Sequence, residues 1–140
     1  MSILEHLNRS PFRQLVGIEI TRAEDGYAEA ELSLEGKHSS RREGLIAQGG
    51  VTFTLADSVG GAAAVSLEGR ATPTIDFRID YLRPATSDLR AVGEVTRKGS
   101  ETAVVDVSVT DVDGTEIATG RGVYKTSELP ADAPWEIEEP

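Results

Sequence analysis

The sequence predicts an α+β fold in which a curved antiparallel sheet of five to six strands wraps one long central helix. Three observations carry this. Residues 50–67 are apolar on nearly every side, with Asp57 as the one charged residue in the stretch, and a helix without a polar face calls for burial on most sides. Segments before and after it alternate apolar and polar residues with the period of two that marks half-buried strands. The order, a short helix, two strands, the long helix, then four strands, leaves a single apolar helix to be surrounded, and a curved sheet does so.

Ser2-Ile3-Leu4-Glu5 is a capping box, in which the Ser hydroxyl and Glu carboxylate satisfy free backbone donors at a helix start. It predicts a first helix over residues 3–9, stopped by Ser10-Pro11. Between residues 17 and 34, Ile18 and Ile20, then Ala28, Ala30, Leu32 and Leu34, alternate with polar residues around Glu24-Asp25-Gly26, the pattern of a hairpin. Residues 37–43 form a charged loop that delivers the chain to Gln48-Gly49-Gly50 and the long helix.

Thr74–Tyr81 holds the cleanest alternation, with Ile75, Phe77, Ile79 and Tyr81 set against Asp76, Arg78 and Asp80. Strands follow over residues 89–97, 103–111 and Glu116–Lys125, with turns at Lys98-Gly99 and Asp113-Gly114, an antiparallel meander. Residues 1–127 read as a single domain, the natural count for a chain of 140 residues. Residues 128–140 read as an acidic, proline-containing tail, extended, with Trp135 available to dock on the body or on a neighbouring subunit.

The charge balance is 24 acidic against 14 basic residues, net −10. Such a surface repels nucleic acid; it is also the kind of surface a protein adapted to high salt carries. No unbroken apolar run approaches the roughly 18 to 20 residues of a membrane span, and the N-terminus has no basic region followed by an apolar one. The expectation is a cytoplasmic protein without membrane contact. The absence of cysteine removes disulfides, thiolate metal sites and a cysteine nucleophile. His6 and His38, the two histidines, sit in unlike contexts, and no carboxylate cluster has metal-ligand spacing, so no metal site is expected.

Three features of the long helix and its approach suggest chemistry. Gly49-Gly50 at a loop-to-helix junction exposes backbone N–H groups at the positive end of the helix dipole, a possible oxyanion hole. Asp57 lies about two turns inside and so cannot cap the helix; a carboxylate among Leu55, Ala56, Val59 and Gly60 is either paired or working. Gly60-Gly61 in mid-helix, each glycine costing roughly 0.8–1 kcal/mol against alanine, implies a close approach by a second helix or a ligand. Each feature alone has a plain structural reading, but all three converge on one element. Asp57 is eight residues beyond Gly49, about 12 Å along a helix axis. If both act on one substrate, Gly49 of one subunit must face Asp57 of another across a two-fold axis.

Gln48-Gly49-Gly50-Val51, then Leu55-Ala56-Asp57, and later Asp76-Phe77-Arg78-Ile79-Asp80-Tyr81-Leu82-Arg83-Pro84-Ala85 resemble the PaaI-like acyl-CoA thioesterases of the hotdog superfamily, over about residues 17–125. The resemblance implies the hotdog fold and hydrolysis of an acyl- or aryl-acyl-CoA thioester by a homodimer or homotetramer, with coenzyme A as part of the substrate and no separate cofactor. It implies Asp57 as nucleophile or general base, the Gly49 amide as the donor that polarises the thioester carbonyl, and the Thr74 hydroxyl as an assistant near the acid. Gln48 stands where the family motif has His, and can donate through its amide but not titrate. The family's upstream Asn falls on Arg42, or on Arg41 if the loop carries one extra residue. An Arg there suits a substrate carboxylate or phosphate, or a surface acid. Gly50, Ser58, Gly61 and Arg83 complete the expected substrate contacts, with Arg97 and Lys98 as further candidates for the coenzyme phosphates. The hotdog dehydratases and hydratases use a site His, and neither His6 nor His38 is placed for that role. The rival from another class is a hotdog module that binds acyl-CoA without cleaving it.

Overall fold

The computed structural model describes residues 1–135. Two short helices, α1 (Ile3–Leu7) and α2 (Pro11–Val16), lead into a hairpin of β1 (Ile18–Glu24) and β2 (Tyr27–Leu32). A loop with one 3₁₀ turn (Gly36–His38) reaches the long helix α3 (Gly49–Glu68). Then come β3 (Thr74–Tyr81), β4 (Leu89–Lys98), β5 (Thr102–Thr110) and β6 (Glu116–Lys125). The six strands form one antiparallel sheet in the order β1-β2-β4-β5-β6-β3. This is the expected hotdog architecture, with β4-β5-β6 as the meander.

The N-terminal capping box is present, Ser2 Oγ accepting from the Glu5 amide and Glu5 accepting from the Ser2 amide. The first helix is shorter than expected, and Ser10-Pro11 does not merely stop it. Ser10 caps a second helix with Pro11 at its first turn, where proline's missing N–H costs nothing. The same dipeptide therefore ends one helix and begins another. The β1–β2 turn places Asp25 at φ 52° and Gly26 at φ 80°, the pair of left-handed residues a two-residue hairpin needs.

The core lies between α3 and the concave face of the sheet. Leu55, Ala56, Val59 and Ala62–Ala64 meet Ile20, Leu32, Val105, Val109 and Ile117, all essentially inaccessible. Ten of the helix's 20 residues are buried, fewer than an all-round apolar surface suggests. Gly50, Thr54, Asp57 and Gly61, on one face at helical spacing, keep some exposure. By length and composition α3 could cross a bilayer, but in this fold it is the core helix, packed against the sheet.

β3 departs from its sequence pattern. Its alternation is the cleanest in the chain, yet only Phe77 and Ile79 are even half-buried, and Ile75 and Tyr81 are 58% and 52% exposed. The reason is position, because β3 is the outer strand of the sheet, paired on one side with β6 alone. Beyond β6, residues 128–135 hold turns but neither helix nor strand. The part of the expected tail at residues 136–140 lies outside the described residues.

Candidate active site

Asp57 sits midway along α3, and the β3–β6 register determines what meets it. Thr74, the first residue of β3, is directly opposite Tyr124 on β6. Both side chains reach the same carboxylate oxygen: Thr74 Oγ1 and Tyr124 Oη each lie 2.9 Å from Asp57 Oδ1. Among the described residues, no hydrogen bond occupies Oδ2. The carboxylate is thus fixed by one oxygen and free at the other.

Tyr124 is fully buried. Burial, then the Asp57 charge and the hydrogen bond to it, push its hydroxyl far above the ordinary tyrosine range, so it remains a donor at any working pH. Its route to Asp57 exists only because two residues lack side chains. A Cβ at Gly60 would lie 2.3 Å from Tyr124 Oη, and one at Gly122 would lie 2.8 Å from it. The close approach that Gly60-Gly61 implied is therefore a tyrosine ring, neither a second helix nor a ligand. A Cβ at Gly61 would be in ordinary contact, 3.6 Å from that ring.

Asp57, Ser58 and Gly61 line a pocket of about 360 Å³ with Thr74, and its far walls come from both ends of the chain. His6 and Arg13 enter from the N-terminal helices, and Trp135 from the C-terminal segment. Trp135 thus lies against the body, while staying 56% exposed. Arg13 is half-buried; burial pulls its pKa below the ordinary value, with the charges of Asp57 and Tyr124 acting in the opposite sense. His6, which the sequence did not place near the site, is in the pocket wall. His38 is buried elsewhere, its Nδ1 accepting from the Glu35 amide and its Nε2 donating to the Val16 carbonyl.

At the other end of this stretch of helix, Gln48 is the N-cap, and its Oε1 accepts from the Gly50 amide at 2.6 Å. The Gly50 N–H is thereby used within the chain. The Gly49 N–H has no partner among the described residues, while its carbonyl accepts from Tyr81 Oη at 2.7 Å. β3 therefore touches both ends of the candidate machinery, Asp57 through Thr74 and Gly49 through Tyr81.

The basic candidates stand apart from the pocket. Arg41 and Arg42 are exposed in the loop before α3. Arg83 donates to the Glu116 carbonyl at 2.8 Å, Lys98 pairs with Glu68 at 3.2 Å, and Arg97 is exposed. Among the described residues, no group of three or more His, Asp or Glu side chains is arranged to hold a metal ion.

Sequence reasoning missed Tyr124, Arg13 and the pocket placement of His6. The mid-helix glycines signalled Tyr124 without naming it, since nothing in a strand sequence says which residue lies opposite a helix carboxylate. Arg13 depends on α2, which the Ser10-Pro11 signal had hidden.

Comparison with known proteins gives the family. The sequence profile of the thioesterase superfamily matches residues 46–118, more than half of the chain and including Gly49, Asp57 and Thr74. A protein of Halobacterium salinarum assigned by name as an esterase is 33% identical over 121 residues, covering 79% of this chain and 80% of its own. The medium/long-chain acyl-CoA thioesterase YigI of Salmonella typhimurium is 27% identical over 130 residues, covering 81% and 84%. The E. coli PaaI structure superposes with a TM-score of 0.79 at 22% identity, covering 91% of this chain and 97% of that one, a likeness of fold.

Proposed function

This chain belongs to the thioesterase superfamily and is a thioester hydrolase, and on that premise we propose that its substrate is an acyl- or aryl-acyl-CoA cleaved at a site shared across a homodimer. The observation that carries this reading is the state of Asp57, which lines the pocket and whose Oδ1 is held by two hydroxyl donors, while Oδ2 has no hydrogen bond among the described residues.

In the proposed reaction, Oδ2 takes a proton from water as the water oxygen bonds to the thioester carbon. The negative charge moves to the carbonyl oxygen, where the amide of Gly49 of the partner subunit holds it. Collapse breaks the C–S bond, and the thiolate leaves with the proton carried by Asp57. On the nucleophilic route Oδ2 itself bonds to the carbon and the thiolate is expelled, and water then adds to Cγ of the mixed anhydride and breaks the Cγ–Oδ2 bond, so that the water oxygen stays in Asp57. Single turnover in ¹⁸O-water separates the two, since only the nucleophilic route labels Asp57.

The need for two subunits follows from spacing. Asp57 and Gly49 lie on one unbroken helix, about 12 Å apart along its axis. β3 supports the pairing, because it is eight residues long, carries exposed Ile75 and Tyr81, and pairs among the described residues with β6 alone, which leaves its outer edge open. Antiparallel pairing of two such edges about a two-fold axis would set the Thr74 end, with Asp57, opposite the Tyr81 end, with Gly49. A homotetramer would be a pair of such dimers. Coenzyme A enters only as part of the substrate, and the proposed location is the cytoplasm.

The test is release of free thiol from a panel of aliphatic and aryl acyl-CoAs, repeated with Asp57→Ala. Turnover is expected to fall by at least about a hundredfold; binding without turnover in the parent would favour a non-catalytic acyl-CoA module. The shared site has its own test. Asp57→Ala and Gly49→Pro, each inactive alone, should regain about a quarter of parent activity when mixed and allowed to exchange subunits, because half of the dimers then hold one intact site. No recovery would place both groups' roles within one protomer.

A further inference from the structure

Arg13 is the guanidinium in the wall of the Asp57 pocket. Its Nη1 donates to the Leu7 carbonyl at 3.0 Å. Among the described residues, its Nε and Nη2 have no acceptor and it forms no ion pair. Around it the wall is mixed, with Leu7, Val65 and Trp135 beside Ser58, Thr72 and Thr74. Its remaining nitrogens are thus uncommitted donors in the pocket that also holds Asp57.

Resting on the thioesterase reading, we propose that Arg13 is a specificity-determining residue that selects acyl groups carrying a neutral oxygen acceptor, such as a ketone, over plain alkyl groups. A plain alkyl chain entering the pocket strips water from the guanidinium and offers nothing in return, whereas an oxygen on the chain replaces that water with a charge-assisted hydrogen bond. Burial already disfavours the charged guanidinium, so the replacement counts for more there than at the surface. The charge count sets the class of acceptor. Asp57 shares the pocket and balances Arg13, so a carboxylate on the acyl chain would leave one negative charge in excess beside the reacting acid. A neutral oxygen adds none.

The experiment compares kcat/KM for hexanoyl-CoA, its 3-oxo, 4-oxo and 5-oxo counterparts and adipoyl-CoA, on the parent protein, Arg13→Met and Arg13→Lys. The best oxo ester should exceed hexanoyl-CoA by about tenfold or more in the parent. That ratio should fall towards one in Arg13→Met and be kept in part by Arg13→Lys. Equal values in the parent, a ratio unmoved by Arg13→Met, or adipoyl-CoA as the preferred substrate would each overturn the proposal. Should Arg13→Met fail to fold, the parent ratio and Arg13→Lys still decide it. A protein that cleaves none of these esters fails the hydrolase reading instead, and the same ratios taken as Kd values by calorimetry then decide the role of Arg13.

Discussion

The Tyr124 hydroxyl lies 2.9 Å from Asp57 Oδ1 and 3.1 Å from the Asp57 carbonyl oxygen, inside a core from which the ring is wholly excluded from solvent. Having no solvent-facing surface, it can act only through Asp57, and in the proposed reaction it is a positioning residue. Tyr124→Phe keeps the ring and removes the donor. Loss of a hydrogen bond to a charged group, about 1.5–3 kcal/mol, should appear mainly in kcat, with a fall of about tenfold or more and KM little changed. A fall in melting temperature with kcat intact would mean that the hydroxyl serves stability alone.

The same hydroxyl predicts an alkaline limb of stability. Its folded pKa is raised above the unfolded value of about 10. Its contribution is therefore fully present below pH 10 and is lost as pH rises above that, because only the unfolded chain can then ionise the group. The parent should lose stability relative to Tyr124→Phe by up to about 1.4 kcal/mol per pH unit above pH 10. Parallel denaturant titrations of the two proteins at a series of pH values measure this difference; superimposable slopes would contradict it.

Gly60→Ala places a methyl 2.3 Å from Tyr124 Oη and 3.1 Å from its Cζ. Overpacking of this kind costs about 1–3 kcal/mol, and the displaced ring should release Asp57 and lower kcat. The double variant Gly60→Ala with Tyr124→Phe removes the closest clash. It should be more stable than the sum of the two single effects, read as a positive coupling in a double-mutant cycle.

Gly49→Pro tests the oxyanion donor without dismantling the helix. Gly49 is the first helical residue, where proline is tolerated, and Gln48 before it is already extended at φ −61° and ψ 139°, the region a following proline demands. The lost N–H should reduce kcat about 10²–10³-fold while circular dichroism stays close to that of the parent. Retained activity would assign the oxyanion contact elsewhere.

Much of this protein was legible in its residues alone. Period-two alternation located the four strands after α3 within a residue and the hairpin before it within two, and the uninterrupted apolar segment located α3, because both patterns report burial that each element carries locally. Asp57 was conspicuous for the same reason, as a lone carboxylate in an apolar helix. What chain order could not convey was which elements meet. Strand β3 follows α3 in sequence but lies at the sheet edge beside β6, and only that register sets Thr74 against Tyr124 and aims both at Asp57. Arg13, His6 and Trp135 come from opposite ends of the chain to one pocket, a juxtaposition with no local signature. The sequence by itself determined the six strands, the long helix and the lone carboxylate within it, since burial and propensity act within a few residues. Tertiary structure alone decided the hydrogen bonds that fix that acid and the walls that surround it, since both depend on contacts between residues tens of positions apart.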